Sequence, residues 1–303
     1  MIDWKEISGE IRRLCPELKL LEEEPLSKHT SFRIGGPASL FAQPASGEEL
    51  AALLRASARL GIKPRILGAG TNVLAPDEGL RELVICTKDA LTGLTDLGNG
   101  AIEAYAGETL ARAAVFAKNH SLTGLEFAHG IPGTVGGGIY MNAGAYGGEM
   151  KQVAVRTTAL SLDGRTITLE GGAQGFGYRK SAFEELDAII VKTVFQLAPG
   201  NTEKIAARMQ ELMEKRRASQ PLELPSAGST FKRPEGAYAG ALIEQAQLKG
   251  VSVGGAQVSP KHAGFVVNRG RATAADVRAL IAHIQQEVQK TSGFSLQPEV
   301  RIW

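Results

Sequence analysis

The chain has little of what would place it outside a reducing, aqueous compartment. Its 303 residues include only two cysteines, Cys15 and Cys86, which allow at most one disulfide. The stretch Met1 to Leu14 carries acids and bases at helical spacing, without the basic-then-apolar order of an export signal. Both cysteines therefore read as free thiols of a reducing cytoplasm. Apolar runs are short. Ala188-Ile189-Ile190-Val191 ends at Lys192, far below the ~18 consecutive apolar residues of a membrane helix. The five histidines are scattered and, with the two cysteines, show no metal-ligand spacing. Charge of either sign is not in excess: 34 Lys+Arg against 32 Asp+Glu leaves +2, and nothing there implies a nucleic-acid surface. No internal repeat or low-complexity segment is present. A P-loop is absent. So is a Rossmann fingerprint, because Val73 stands where its third glycine belongs.

Glycine is what the chain has in quantity, with 36 residues against a usual share of ~7%. Hydrophobic residues at 43% and charged residues at 22% are ordinary for a globular protein. The length suits two or three lobes. Trp4, Ile7, Ile11 and Leu14 predict a helix over 3–14, stopped by Pro16. Ser46 with Glu49 has the spacing of a capping box ahead of Leu50, Leu53 and Leu54. Short strands are predicted at Pro64 to Leu67, Leu83 to Cys86 and Ile102 to Ala106, and a helix from Thr109 to Asn119. Thr30 to Leu40 reads as strand or turn. Val153 to Leu162 and Arg165 to Leu169 alternate around Asp163-Gly164, a hairpin signal. Ala188 to Leu197 is a further strand. Helices follow at Thr202 to Ala218, Ala239 to Gln247 and from Thr273, with strands at Phe265 to Asn268 and Glu299 to Trp303. The order is α/β and then α+β, divided as 1–88, 89–200 and 201–303.

Two glycine segments stand out. Gly68-Ala69-Gly70-Thr71-Asn72 follows a strand, and reads either as a tight turn or as a backbone cradle for phosphate. His129 to Gly147 holds 7 glycines in 19 residues. Ordering so many glycines costs much entropy. A backbone pressed against an extended diphosphate and ring would justify that cost, although a loop packed on a sheet would also need glycines. Arg179, in Tyr178-Arg179-Lys180-Ser181, reads as a solvated charge or as a fixed cation for a carboxylate or oxyanion. Ser229 reads as a turn serine or a proton donor, and not as an esterase elbow. Glu299, after Pro298 at the start of the last strand, reads as an edge acid or an acid/base group. His262 is a lone histidine of the kind that is usually structural.

In this order the segments resemble one family, the UDP-N-acetylenolpyruvoylglucosamine reductases. The match spans His29 to Arg301. It is carried by His29-Thr30-Ser31-Phe32-Arg33-Ile34-Gly35-Gly36, Leu67 to Asn72, Gly130-Ile131-Pro132-Gly133-Thr134-Val135-Gly136-Gly137 and Asn142-Ala143-Gly144-Ala145-Tyr146-Gly147. Tyr178 to Ser181, Gly228 to Lys232 and Pro298-Glu299-Val300-Arg301 complete it. The resemblance implies a two-subdomain FAD-binding fold of the vanillyl-alcohol-oxidase type, with a C-terminal α+β substrate domain. It implies non-covalent FAD held by Gly68, Ala69, Gly70, Thr71, Asn72, Gly130, Ile131, Pro132, Gly133, Gly136, Gly137, Asn142, Ala143, Gly144 and Val191. NADPH would be the hydride donor and UDP-N-acetylglucosamine enolpyruvate the acceptor, in a cytoplasmic monomer with no nucleic-acid or membrane partner. Ser229 would protonate the carbanion left by hydride transfer, and Arg179 and Glu299 would stabilise its enolate character. Tyr178, Lys232, Arg233, Gln245 and His262 would contact substrate.

Two departures accompany the resemblance. Ala182 to Ala227 contains no tyrosine, so the chain looks like the shorter subclass that lacks a tyrosine-bearing substrate loop. Arg233 stands where many members have asparagine. The competing readings are another FAD oxidoreductase of the same fold, such as an alcohol or sugar-lactone oxidase, and a sugar-nucleotide-binding module with a decayed cofactor site.

Overall fold

A computed structural model describes residues 3–303. Caps and apolar spacing place its helices. The first, α1 (Trp4–Leu14), opens on Asp3, whose carboxylate accepts from the amides of Lys5 and Glu6. The second, α2 (Gly47–Arg59), buries Leu50, Leu53 and Leu54. Its start departs from the expected reciprocal box. Ser46 Oγ accepts from Glu49 N, but the Glu49 carboxylate accepts from Ala45 N, one residue too early. Then come α3 (Leu110–Asn119), capped by Thr109, and α4 (Val135–Tyr140), capped by Thr134. The last three are α5 (Thr202–Ser219), α6 (Ala239–Gln245) and α7 (Ala274–Ser292). At α7 the capping box is complete: Thr273 and Asp276 each accept from the other's amide.

The chain clusters into two compact units. The first runs to Glu23, then covers Ser39–Ala69 and Arg81–Lys215. The second covers Glu24–Ala38, Gly70–Leu80 and Arg216–Trp303. The segments 24–38 and 70–80 therefore pack with the C-terminal portion, although they lie within residues 1–88.

Unit 1 is built on two sheets. Four strands lie in the order Lys19–Pro25, Pro37–Gln43, Leu80–Cys86, Arg65–Leu67, the last two parallel with Leu67 opposite Cys86. Strand Lys19–Pro25 was not legible, because Glu22, Glu23 and Glu24 break its apolar alternation. Five antiparallel strands lie in the order Thr166–Glu170, Ala154–Ser161, Ala188–Gln196, Ala101–Tyr105, Leu94–Gly98. The hairpin read at Asp163-Gly164 is present, in register from Arg156 opposite Glu170 to Leu160 opposite Thr166. One apolar core joins Leu50, Leu53 and Leu54 of α2 to Ile102, Leu110, Val135, Ile139 and Phe195.

In unit 2, α7 packs on a three-stranded antiparallel sheet, Ser252–Val253, Ala256–Val258 and Val266–Asn268, and α6 packs against α7. Its core contains Phe32, Phe231, Leu242, Ile243, Val277, Leu280, Ile281 and Ile284. The last strand is only Arg301–Ile302, parallel to Val73–Leu74.

Both cysteines are free and buried. Burial pushes the Cys86 thiol up to about 11 and raises Cys15 as well. The thiolate is the reactive form. Both thiols are therefore expected to resist a disulfide reagent at pH 8 in the native protein and to react fully in urea. Rapid native reaction would contradict the burial. The linkage has one sign. Above pH 9 the unfolded chain loses these protons and the fold keeps them, so stability falls between pH 9 and 11.

Candidate functional site

In unit 1, strand Arg65–Leu67 ends at Gly68-Ala69. The carboxyl ends of parallel strands are where α/β sheets gather ligands. Gly68 has no room for a side chain: a Cβ would lie 2.7 Å from Thr134 Oγ1. That hydroxyl also accepts from Gly137 N at 3.3 Å, as the cap of α4. The two glycine segments therefore meet at Thr134, a residue inside the quoted motif to which the sequence reading gave no role.

Much of the glycine-rich stretch serves packing within the protein. It contains α4. A Cβ on Gly136 would sit 2.9 Å from Ala106 Cβ. On Gly138 it would sit 3.2 Å from Leu110, and on Gly144 2.7 Å from Gly148 O. The first-turn amides of α4 are spent within the protein: Val135 N on Glu108 O (2.8 Å), Gly136 N on Ala106 O (2.9 Å) and Gly137 N on Thr134 Oγ1. Those three amides are not left over for a phosphate. Gly137 is different. It is exposed, and a Cβ there would meet only Thr134 Oγ1, at 3.5 Å.

Upstream, Gly130, Ile131, Pro132 and Gly133 are half-buried or exposed. Gly133, at φ +149°, turns its carbonyl to Leu110 N. His129 Nδ1 is buried with no hydrogen-bond partner among the described residues. Burial also lowers the pKa of its ring. Val191 is 7% exposed and packs in the core of unit 1, its carbonyl receiving Ala106 N. Ala143 bonds through its backbone to Gly138 O and Met150 N.

Arg179 sits in a tight turn closed by the reciprocal bonds of Gly177 and Lys180. Its φ is +55°, a strained region for a side chain this long. The guanidinium reaches Gly144 O at 3.4 Å and lies 5.2 Å from the centre of the Tyr178 ring, which is exposed.

In unit 2, three backbone segments are laced together. Phe231 pairs with Pro298, Lys232 N bonds Gln297 O, and Glu299 N bonds Thr230 O, both at 2.8 Å. Asn72 Nδ2 bonds Glu299 O, and Arg301 N bonds Asn72 O. Ser229 and Glu299 therefore lie on neighbouring segments. Glu299 precedes the last strand and does not open it. Thr230 is buried behind Ser229 and fixed through Gly264 O and Val266 N. Ser229 itself is exposed, after Gly228 at φ +75°. The Arg233 guanidinium stacks on the Tyr238 ring at 3.9 Å. Gln245 ends α6 and is exposed. His262 Nδ1 accepts from Gly264 N, and the ring meets Phe265 edge-on at 5.0 Å. With Nδ1 accepting, the neutral ring carries its proton on Nε2, and burial lowers its pKa.

The donor set suits a dinucleotide. Residues 68–72 and 129–147 include no acidic side chain that would repel a diphosphate, and His129 Nδ1 awaits a partner. Comparison with known proteins agrees. Residues 38–170 match an FAD binding domain, and residues 220–303 match the C-terminal domain of UDP-N-acetylenolpyruvoylglucosamine reductase. Over 297 residues the chain is 45% identical to the UDP-N-acetylenolpyruvoylglucosamine reductase of Caldanaerobacter subterraneus subsp. tengcongensis, covering 96% of each. The chain belongs to the UDP-N-acetylenolpyruvoylglucosamine reductase family. The reductase of Agathobacter rectalis is 46% identical over 95% of both chains. The crystal structure of the Thermus caldophilus reductase superposes with a TM-score of 0.80 at 33% identity, over 95% of this chain and 99% of that one. A reductase of this family is an FAD-dependent oxidoreductase, here with the FAD-binding fold of the vanillyl-alcohol-oxidase type followed by a C-terminal α+β domain.

Proposed function

We propose that this reductase reduces the enolpyruvyl group of UDP-N-acetylglucosamine enolpyruvate to give UDP-N-acetylmuramate for peptidoglycan synthesis. NADPH is the proposed hydride donor, and the enzyme works as a cytoplasmic monomer. The near-full-length identity to reductases so named is the observation that carries this reading. Among the described residues, no helix is long and apolar enough to cross a membrane. The strands and helices of residues 1–88 and 89–200 are proposed as the two FAD-binding subdomains, with residues 201–303 on the substrate.

Bound FAD would supply the hydride chemistry, taking hydride from NADPH and passing it to the vinyl carbon. Gly68 to Asn72 and Gly130 to Gly133 would hold it by backbone, with Gly137 giving close approach. Ser229 would hand its hydroxyl proton to the carbon beside the substrate carboxylate. Arg179 would keep a fixed positive charge against that carboxylate as it gains enolate character, and Glu299 would orient the proton transfer. Lys232 would meet the diphosphate. Lys232→Ala is expected to raise KM for the sugar nucleotide about tenfold with kcat nearly unchanged. An unchanged KM would remove that contact.

The test is an anaerobic absorbance titration. One equivalent of NADPH should bleach the flavin bands, and UDP-N-acetylglucosamine enolpyruvate should restore them without oxygen. Bleaching without recovery would point instead to another acceptor.

A further inference from the structure

Asn142 belongs to the segment read from sequence as a flavin contact, yet its side chain is 1% exposed and already committed. Its amide nitrogen donates to Glu149 Oε2 at 2.8 Å and to Gly177 O at 2.9 Å. Its Oδ1 accepts from Lys151 N at 3.0 Å. A carboxamide has two N–H donors, and both are spent within unit 1. It has none to give to a ligand.

The Gly177 carbonyl that it holds opens the turn that presents Tyr178 and Arg179. The far end of that turn is held too: Ser181, 4% exposed, donates its hydroxyl to Tyr140 O at 2.9 Å. Tyr140 and Asn142 flank a single residue at the end of α4. Both ends of the arginine turn are thus tied to one short stretch of backbone. Arg179 keeps φ +55°, and such a conformation in a non-glycine residue persists only where its surroundings over-determine it. Asn142 is itself at φ +43°, a region that asparagine tolerates better than most residues.

We infer that Asn142 and Ser181 are positioning residues, a two-ended bracket that fixes the Arg179 guanidinium, and that Asn142 is not a cofactor ligand. The inference rests on the role proposed above for Arg179.

Asn142→Gly suits the backbone and deletes all three side-chain bonds. Ser181→Ala deletes one bond with little change in volume. Each variant is purified with FAD, and three quantities are measured: FAD affinity, flavin reduction by NADPH and anaerobic reoxidation by UDP-N-acetylglucosamine enolpyruvate. Reoxidation is expected to slow about 10- to 100-fold in Asn142→Gly, and less in Ser181→Ala, from misplacement of the charge. FAD affinity and reduction should stay within about threefold, since the bracket touches neither. In an Arg179→Ala background, Asn142→Gly should add less than about threefold, because the residue it positions is gone. A tenfold or greater loss of FAD affinity, with both half-reactions slowed alike, would make Asn142 a cofactor or packing residue and overturn the bracket. So would normal reoxidation in both bracket variants while Arg179→Ala is slow. Normal reoxidation in Arg179→Ala itself would defeat the proposed role of the arginine, and the bracket with it.

Discussion

Ser229→Ala is expected to leave flavin reduction by NADPH intact and to slow reoxidation by the enolpyruvyl substrate about 10³-fold, the scale of a lost general acid. A serine hydroxyl is a weak acid in water, so it protonates only a strongly basic centre. The carbon beside a carboxylate that has just received hydride at its neighbour is such a centre. Nothing in the first half-reaction needs that proton, which is why the two halves should separate. The substitution is structurally mild. Ser229 is exposed, and the anchoring of its segment falls to the buried Thr230 and to the Phe231–Pro298 pairing. A loss of reoxidation in a variant with unchanged melting behaviour would therefore report chemistry. Stopped-flow absorbance resolves both halves, and equal slowing of the two would remove Ser229 from the role of acid. Ser229→Cys, which restores an ionisable proton, should recover part of the rate.

The elements that could be read from sequence were those whose signal is local. The helix α2 shows its buried leucines at helical spacing, and the Asp163-Gly164 hairpin shows alternation around a turn dipeptide. Strand Leu94–Gly98 was missed because its exposed edge carries Thr95 and Asp96 with hardly any buried face. The helix α4 was missed for a different reason. Gly136-Gly137-Gly138 opposes helix formation by propensity, by about 1 kcal/mol per glycine. Two of the three stand where a Cβ would crowd a neighbour, Ala106 Cβ at 2.9 Å for Gly136 and Leu110 at 3.2 Å for Gly138. That cause lies in distant strands and helices, so no local pattern announces it. The site divides in the same way. Ser229 and Glu299 are 70 positions apart, and their segments are joined by backbone bonds through Thr230 and Pro298. The motifs marked both residues, but the lacing was not legible. The sequence marks Asn142 but does not show which groups its buried carboxamide meets, Glu149 Oε2, Gly177 O and Lys151 N.

Gly70→Ala is expected to be among the most damaging single changes of one methyl group. Gly70 sits at φ +61°, and a Cβ there would stand 2.1 Å from His29 O and 2.8 Å from Thr30 Cα. Those are backbone atoms, so no side chain can swing aside. The same backbone is tied down, since Ser31 N donates to Gly70 O at 3.0 Å. Left-handed strain and overpacking each cost about 1–3 kcal/mol, so a sum near 4 kcal/mol is expected. Gly61→Ala separates the two contributions. Gly61 has nearly the same φ, +67°, with nothing within 4 Å of its Cβ position. It should lose about 1 kcal/mol, the strain alone. Urea melts of the two variants with FAD bound measure the difference. Equal losses would mean that the His29–Gly70 contact gives way freely. The contact then could not be what holds the Gly68 to Asn72 segment in shape. If the contact is rigid, Gly70→Ala should also release FAD at urea concentrations where Gly61→Ala retains it, because the segment that deforms is the one proposed to hold the diphosphate.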